Sequence, residues 1–327
     1  MKRWFLTLLL LSPLAVFAAD KNKPNTYTDP KEAGPDFDIQ GEYLGKDVGG
    51  NTWGVQVIAR GDGKFEAVGY KGGLPGDGWK RGDEIRPAKG ERKGNGAEFT
   101  GEDWNGSINE KEGIFTVTYD GKTVGDLKKT TRKSPTLGAK PPEGATVLFD
   151  GSTADTFENG KIVEVEGEKV LAASNPASKK KLGDHMLHIE FRSPFMPKAS
   201  GQGRGNSGVY LQGRYECQVL DSFGLEGKNN ECGGIYTVAE PIVNMCFPPL
   251  SWQTYDIDFT AAKFNDKGEK TENARTTIKH NGVVIHDNLE LKPTPGYKGE
   301  GPGPESLFMQ DHGDPVVFRN IWVVDKK

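Results

Sequence analysis

Short apolar runs in which apolar and polar residues alternate recur along most of the chain. Alternation with a period of two sends successive side chains to opposite faces of a sheet, and no helical period persists for three turns. Pairs of such runs flank Asp62-Gly63, Asp120-Gly121 and Asn281-Gly282. These dipeptides suit tight hairpin turns, whose two central residues need positive φ. The pattern therefore predicts an all-β protein of short antiparallel strands.

Changes in composition divide this pattern into two units. The first, over residues 36–131, predicts a small antiparallel β domain, either a sheet or a barrel, whose role the sequence leaves open. Residues 132–145 contain several prolines and no apolar period, so we expect a linker there. Strands then follow one another over residues 146–325. Their spacing predicts a two-sheet β-sandwich, with a closed barrel as the alternative.

The N-terminus has the pattern of a secretory signal peptide. A positively charged start precedes an apolar run from Trp4 to Leu11, and small residues follow at Ala18. This run is too short to span the ~30 Å hydrocarbon core of a membrane. We therefore expect residues 1–18 to be removed by cleavage near Ala18 and residues 19–35 to form a flexible leader. The protein is expected to be exported, to the periplasm or the medium, without membrane insertion.

Charge and cysteine content narrow the function further. The net charge of −4, from 42 basic and 46 acidic residues of mixed distribution, gives no basic surface for nucleic acid. The three cysteines are an odd number for an oxidising compartment. Cys232 and Cys246 flank a segment with Gly and Pro and are the candidates for one disulfide. Cys217 lies among core-facing positions and is expected to be a buried free thiol.

Most of the candidate chemistry lies between Asn206 and Ser222. This segment predicts two strands joined at Gly213-Arg214. The second strand places Glu216 and Gln218 on one face and, on the other, Tyr215, Cys217 and Val219. One face can enter an apolar core while the other presents a carboxylate beside an amide. Such a polar strip suits the hydroxyl groups of a sugar, so a carbohydrate site is the first hypothesis.

Several motifs of the second unit together resemble one protein family. They are Val147–Gly151, Asn206–Gln212, Tyr215–Ser222, Glu231–Tyr236, Trp252–Asp256, His280–Gly282 and Gln310–Trp322. In this order, over roughly residues 145–324, they resemble the 3-keto-disaccharide hydrolase family, which is common in bacteria that digest glycans. Relatives usually carry a Trp where this chain has Thr156-Phe157, and residues 158–182 match only loosely. The rim of the site is therefore expected to differ.

The resemblance implies a fold similar to concanavalin A-like lectins and glucanases, a jelly-roll sandwich with a concave sugar-binding sheet. It also implies cleavage of glycosides that carry a ketone at C3. The ketone makes the C2 proton acidic, so a base can remove it, the C1 substituent can leave by β-elimination, and water can add back. An ordinary glycosidase needs two carboxylates at a defined separation instead. The alternative function is a non-catalytic, lectin-like carbohydrate-binding module.

The candidate site residues divide by the chemistry they can supply. Glu216 is the candidate base, since burial would raise its pKa, and His312 is a candidate base or acid because imidazole titrates near neutrality. Asp311 is the third catalytic candidate and could orient the imidazole. Glu216 could instead pair with Arg214 or Arg319, and His312 could cap the following turn. The candidates for binding substrate are Tyr210, Gln212, Gln218, Glu231, Tyr236, Gln310 and Arg319.

Signatures of other chemistries are missing from the sequence. It contains no Gly-rich phosphate loop, His-Glu-x-x-His zinc motif or nucleophile elbow. Nothing has the spacing of an EF-hand, so no metal or other cofactor is assigned. A structural or catalytic divalent metal between acidic loops stays open, because lectin-like sandwiches often carry one. The expected partner is an oligosaccharide or glycoside, and the oligomeric state is left open.

Overall fold

The computed structural model describes residues 25–326. The predicted signal peptide, residues 1–18, and the first part of the predicted leader lie outside the described residues. The all-β prediction is confirmed. Within residues 25–326 the non-strand elements are one short helix, α1 (Pro35–Ile39), and two 3₁₀ turns at Pro30–Glu32 and Gly201–Gly203. None of these described helices is long and apolar enough to cross a membrane.

The first ten strands belong to the N-terminal domain. They are β1 (Gly41–Asp47), β2 (Thr52–Gly61), β3 (Lys64–Lys71), β4 (Leu74–Pro75), β5 (Gly78–Trp79), β6 (Ile85–Lys93), β7 (Gly96–Gly101), β8 (Asn105–Asn109), β9 (Ile114–Tyr119) and β10 (Lys122–Thr130). Eight of them close into an antiparallel barrel in the order β1-β10-β9-β8-β7-β6-β3-β2, and β4 and β5 form a short parallel pair. Closure pairs every strand on both sides and leaves no sheet edge. The predicted turns at Asp62-Gly63 and Asp120-Gly121 join β2 to β3 and β9 to β10, with positive φ at all four residues.

Residues that precede the barrel cover one of its ends. Ile39 is fully buried in the barrel core, and the Phe37 ring packs edge-on against Phe195 of the second domain at 5.3 Å. The backbones of Tyr27 and Phe195 exchange two hydrogen bonds of 2.9 and 3.0 Å. The predicted flexible leader is therefore corrected for residues 25–35, because these aromatic and backbone contacts hold that segment in place.

The remaining strands build the second domain. They are β11 (Thr146–Phe149), β12 (Phe157–Glu158), β13 (Ile162–Val165), β14 (Glu168–Ala172), β15 (Ala177–Leu182), β16 (His185–Arg192), β17 (Ser207–Leu211), β18 (Tyr215–Val219), β19 (Gln253–Thr260), β20 (Lys263–Phe264), β21 (Lys270–Glu272), β22 (Arg275–His280), β23 (Val283–Glu290), β24 (Glu305–Met309) and β25 (Val317–Asp325). The larger sheet has the order β13-β14-β25-β16-β19-β22-β23, with β11 also paired to β25. The smaller sheet has the order β12-β15-β24-β17-β18.

The two sheets pack face to face over one apolar core, which confirms the predicted sandwich. From the smaller sheet, Tyr215, Cys217 and Val219 of β18 enter this core. From the larger sheet, Phe191 and Phe318 meet them there. The alternation predicted for β18 is thus observed, and it leaves the intervening side chains on the outer face of the smaller sheet.

The cysteines form a buried group without a disulfide. The expected bond between Cys232 and Cys246 is not formed, and all three cysteines are free thiols. The two side chains hydrogen bond with each other, but each thiol also has a partner in the core. The Cys232 sulfur lies 3.3 Å from the Tyr255 hydroxyl, and Cys246 donates to the Leu220 carbonyl at 3.5 Å. Burial raises the pKa of Cys217 and of Cys246 well above the usual value, so these two thiols stay protonated.

The predicted linker lies against the outer face of the larger sheet. We call residues 132–140 the strap. The Thr136 hydroxyl donates to the Asp256 carboxylate at 2.6 Å, and the Gly138 backbone N–H donates to Glu190 at 2.6 Å. Since both acceptors belong to the sandwich, the strap is fastened to it rather than free.

The barrel and the sandwich also contact each other directly. Arg81, which follows β5, donates to the backbone carbonyls of Glu226, Gly227 and Pro241 at 3.2, 2.7 and 3.0 Å. From the strap, Arg132 makes a two-point contact with Glu42 of the barrel, with its shorter hydrogen bond at 2.6 Å. These charge-assisted bonds fix the junction between the domains.

Candidate active site

A polar strip runs along the outer face of β17 and β18. Tyr210 and Glu216 are directly opposite each other in the strand register, and their side chains hydrogen bond. The Gln310 amide in turn donates to the Tyr210 hydroxyl at 3.3 Å. The structure thus brings together three residues predicted for the site, from positions about a hundred apart in the chain.

Glycine at position 208 makes room for the carboxyl group. A Cβ atom placed on Gly208 would lie 2.4 Å from Oε1 of Glu216 and 3.0 Å from its Cδ, so the carboxyl leans across this residue. The backbone carbonyl of Gly208 also accepts a hydrogen bond of 2.9 Å from Gln310 N–H. The position of the carboxyl is therefore set by β17 and by the end of β24.

Glu216 is buried with an altered pKa. Its side chain is 3% exposed, and burial raises its pKa to about 7, although the hydrogen bond with Tyr210 acts in the opposite direction. The alternative ion pair with Arg214 or Arg319 is not formed, because Arg214 donates to Gln212 and to the Gly303 carbonyl. A carboxyl in this state is able to give or take a proton near neutral pH.

Amides extend the strip beyond Glu216. The Gln218 side chain donates to Oε1 of Gln202 at 3.1 Å and accepts from the Val219 N–H at 3.0 Å. Asn206 donates through its amide to the Gln202 carbonyl at 2.8 Å. Among the described residues, Oδ1 of Asn206 is buried without a hydrogen-bond partner. Gln202 was not anticipated, since it precedes the strand pattern.

Asp311 and His312 lie in an exposed turn that follows β24. The turn is capped by Asp311, whose carboxylate accepts from the Gly313 N–H at 2.8 Å, so His312 does not serve as the cap. Asp314 then accepts from the Asn206 N–H at 2.8 Å, which holds the turn beside the beginning of β17. Within residues 25–326 no hydrogen bond or ion pair joins His312 to Glu216.

The structure does not bring Arg319 to the strip. This residue lies on the outer face of the larger sheet, where it donates to Glu190 at 2.7 Å and also pairs with Glu168. Its guanidinium lies 4.0 Å from the centre of the Trp252 ring. Glu216 lies on the outer face of the smaller sheet, on the opposite side of the sandwich, so Arg319 is not part of the strip.

Three other candidates have local partners. Gln212 occupies the hairpin turn with a φ of 52° and donates to the Leu182 carbonyl at 2.8 Å. Glu231 accepts from the backbone N–H groups of its own loop, at Gly227 and Lys228. Tyr236 is half-buried, and its backbone N–H donates to the Glu216 carbonyl at 3.1 Å. Of these three, only Tyr236 lies beside the strip.

An exposed aromatic side chain borders the same region. Tyr297 is 45% exposed and stacks on Phe308, with ring centres 4.1 Å apart and planes 5° apart. Phe308 belongs to the small apolar cluster that contains Tyr210. Sequence reasoning did not identify Tyr297, because it lies in an irregular segment before β24 with no strand pattern.

A second polar cluster lies beneath the strap. His188 Nδ1 is 2.6 Å from Asp256 and its Nε2 is 3.5 Å from Glu190, while its ring stacks on Trp322 at 5.0 Å. Burial alone would lower the pKa of His188, but the hydrogen bonds to Asp256 and then Glu190 outweigh burial and raise it. Sequence reasoning did not identify this cluster, although the spacing of His188 and Glu190, which places both on one face of β16, was a signal that could have found it.

No group of three or more His, Cys, Asp or Glu side chains in the described part of the chain is arranged to hold a metal ion.

Comparison with known families agrees with this architecture. The family described as the 3-keto-alpha-glucoside-1,2-lyase-like domain matches residues 115–324. The chain belongs to this family. The match covers the strap and the whole sandwich and begins within β9 of the barrel. The predicted family is thus confirmed. No curated protein matches the chain.

Solved structures similar to this member of the 3-keto-alpha-glucoside-1,2-lyase-like family include proteins from Parabacteroides distasonis ATCC 8503. One, described as a "putative glycosyl hydrolase", is 32% identical with a TM-score of 0.51, over 57% of this chain and 85% of that chain. A second with the same description is 18% identical with a TM-score of 0.41, over 57% of this chain and 95% of the other. The family and the first relative together support a hydrolase-like protein that acts on glycans.

Proposed function

We propose that this protein cleaves 3-keto-glycosides, including 3-keto-disaccharides, by removing the C2 proton, eliminating the C1 substituent and hydrating the product. The observation that carries the proposal is Glu216, a buried carboxyl with a pKa of about 7 that hydrogen bonds with Tyr210. Family membership supplies the substrate class. The carboxyl supplies a group able to exchange a proton with a weakly acidic carbon.

The proposed reaction balances without an oxidant or a reductant. Glu216 takes the C2 proton, and the electron pair of that C–H bond forms an enolate with the C3 ketone. The enolate then expels the oxygen substituent at C1, which gives a C1=C2 double bond and a leaving alcohol that gains a proton. Water adds across this double bond, with its oxygen at C1 and a proton at C2. The sum is hydrolysis of the glycosidic bond.

The other residues of the strip have roles that follow from their hydrogen-bonding groups. The enolate oxygen needs donors, because charge develops there in the transition state. We assign this role to the amides of Gln310, which donates to the Tyr210 hydroxyl, and of Gln218, which lies two residues after Glu216 on β18. His312, in the turn that Asp314 holds beside the start of β17, is proposed to protonate the leaving alcohol, with Asp311 fixing that turn.

The burial of Glu216 requires the sugar to enter from one side. Half-buried Gln202, Tyr236 and Gln310 contact Gln218, Glu216 and Gly208 of the strip, in that order. We place the entrance between these side chains, with Tyr297 as the exposed ring on which a pyranose packs. Substrate then excludes water from the site, which strengthens the hydrogen bonds between the amide donors and the developing enolate charge.

An ordinary two-carboxylate glycosidase mechanism fits the strip less well. Such enzymes need an acid and a base or nucleophile, both free to act on one glycosidic bond. The neighbouring Asp221 is bound to Arg204 at 2.6 Å, with both side chains buried. Asp314 is engaged by the Asn206 N–H. Among the described residues, these two carboxylates near the strip are thus already engaged, whereas Glu216 forms no ion pair.

Turnover of matched sugars tests the proposal. The full-length protein is incubated with a 3-keto-disaccharide and with the same disaccharide unoxidised, and product formation is followed. We expect cleavage of the oxidised sugar alone. Cleavage of the unoxidised sugar at a similar rate contradicts the elimination mechanism. Binding of the unoxidised sugar at the strip with no turnover of either compound favours the non-catalytic lectin-like module instead.

Export of the protein is a further part of the proposal, and it rests on the N-terminal sequence pattern. Mass measurement of the protein isolated from the periplasm or medium is expected to give a chain that starts at Ala19. A cytoplasmic chain that retains Met1 contradicts it.

A further inference from the structure

The barrel domain contains a cavity that the proposed function does not use. α1 covers one end of the barrel, near the turn between β2 and β3, where Asp36 accepts from the Gly63 N–H. A cavity of about 340 Å³ lies at the other end, lined by Asp47, Trp53, Arg86, Trp104 and Tyr119 together with apolar side chains. This volume falls near the lower end of the usual range for small-molecule sites.

Glycines on the barrel wall create part of this space. Gly69 and Gly125 both line the cavity. A Cβ atom on Gly69 would make only ordinary contacts, the shortest being 3.4 Å to the Arg86 carbonyl oxygen and the next 3.6 Å to the Arg86 side chain. A larger residue at this position would therefore extend into the cavity without a backbone clash. Interiors of small barrels are normally filled by side chains, so this end is unusually open.

The aromatic wall is fixed before any ligand binds. The Trp53 indole N–H donates to the Asp47 carboxylate at 3.1 Å, and the Arg86 guanidinium lies 5.3 Å from the centre of the Trp53 ring. Asp47 is held in turn by the backbone and side-chain N–H groups of Asn51, both at 2.9 Å. A ring held this way costs little conformational entropy when a ligand packs on it.

The charged groups at the mouth already have partners. Lys71 pairs with Glu84 at 3.0 Å, and Arg86 pairs with Glu84 at 2.7 Å and with Asp103 at 3.4 Å. A charged ligand would have to displace these partners. A neutral ligand that offers both hydroxyl donors and acceptors can add to them without displacement. Its apolar face must also suit the indole rings of the wall.

The geometry points to a second carbohydrate site in the barrel, separate from Glu216, that holds one neutral pyranose unit of a glycan against Trp53. A pyranose combines a face of C–H groups with a rim of hydroxyls, which matches aromatic walls and a neutral polar mouth. This inference rests on the proposed action on glycans. In it, the barrel binds the glycan while the sandwich cleaves it.

Calorimetric binding to the full-length protein tests the inference. The probes are unoxidised glucose trisaccharides with α or β linkages, and the variants are Gly69→Val, which narrows the cavity, and Trp53→Ala, which removes the ring. Gly183→Val is the matched control, because a Cβ at Gly183 meets nothing within 4 Å. We expect binding by the wild type, a loss of affinity of about tenfold or more in both cavity variants, and no change in the control.

The same variants separate this inference from the proposed function. Glu216→Gln is expected to bind the trisaccharide with wild-type affinity, and Gly69→Val is expected to keep wild-type turnover of a short 3-keto-disaccharide. The inference is overturned if the wild type binds neither trisaccharide, if binding survives both cavity variants with their folding verified by thermal melting, or if Glu216→Gln alone abolishes it. Binding of an apolar fluorescent probe but no sugar also overturns it.

Discussion

Tyr210 and Glu216 occupy directly opposed positions on β17 and β18, and the phenol hydroxyl hydrogen bonds with the carboxyl. Burial raises the pKa of Glu216 to about 7 and this hydrogen bond limits the rise. The balance between the two effects keeps a fraction of the carboxyl ionised at neutral pH. A base that removes a C2 proton needs this property, since it must be unprotonated before the reaction.

Removing the hydroxyl is expected to shift the pH dependence of the reaction. In Tyr210→Phe the carboxylate loses a hydrogen bond that favours its ionised form, so the pKa of Glu216 rises further. The acidic limb of kcat/KM is expected to move upward by about one pH unit, the equivalent of about 1.4 kcal/mol. The control is Tyr27→Phe, at the covered end of the barrel. A Tyr210→Phe profile that overlays the wild type contradicts the assigned hydrogen bond.

A single methyl group at position 208 is expected to displace the base. In Gly208→Ala the new Cβ would lie 2.4 Å from Oε1 of Glu216, so the carboxyl must move away. Because small misplacements of reacting groups are costly, kcat is expected to fall about tenfold to a hundredfold. Gly183→Ala, in open space, is the control for the substitution itself. Unchanged kcat in a folded Gly208→Ala protein would show that the carboxyl does not act at this place.

The pKa of Glu216 also predicts how stability depends on pH. The folded-state value of about 7 lies above the usual value of 4.5, so the folded state binds more protons between these two pH values. Stability is therefore expected to fall as pH rises from 4.5 to 7 and to level off above 7. Glu216→Gln removes this loss. Its free energy of unfolding is expected to exceed that of the wild type by about 3 kcal/mol at pH 8, with little difference at pH 4. Urea unfolding at both pH values measures these free energies. The same difference between the two proteins at pH 4 and pH 8 would contradict the raised pKa of Glu216.

The cluster beneath the strap predicts a loss of stability in the same direction, but at higher pH than for Glu216. The pKa of His188 is raised in the folded state by Asp256 and Glu190, in spite of burial. The resulting stabilisation is fully present below pH 6.5, the unfolded value, and is lost as pH rises through the folded value. Asp256→Asn is expected to cost about 1–3 kcal/mol at pH 6 and less at pH 9.

A neighbouring aspartate on the same strand provides the control for that variant. Asp258 forms an exposed ion pair with Lys326, so Asp258→Asn is expected to change stability by about 1 kcal/mol or less at both pH values. Equal effects of the two substitutions would show that the buried histidine contributes nothing specific.

Local patterns predicted the parts of the fold that depend on neighbouring residues. The alternation in β18 was enough to place Glu216 and Cys217 on opposite faces, and Asp62-Gly63 was enough to place a hairpin turn. Local patterns could not predict which sheet carries Arg319. Its motif is continuous with Gln310 in sequence, but the chain passes from the smaller sheet at β24 to the larger sheet at β25 between them.

Long-range contacts explain the other differences. The strap binds residues of β16, β19 and β25 that are more than fifty positions away. A proline-rich stretch has no local pattern from which such contacts can be predicted. The ordered segment before the barrel likewise depends on Phe195 of the second domain. Tertiary packing decided these features, while local propensity favoured a flexible chain.

Deuterium incorporation at C2 tests the proposed role of Glu216 most directly. The protein is incubated with a 3-keto-disaccharide in deuterated water, and the keto-sugar product is compared with a sample lacking enzyme. Elimination followed by hydration predicts one deuterium at C2 of the product from the wild type, and at least a hundredfold slower formation of that product by Glu216→Gln. A product that keeps its C2 proton, or a Glu216→Gln protein that forms the deuterated product at the wild-type rate, would contradict it.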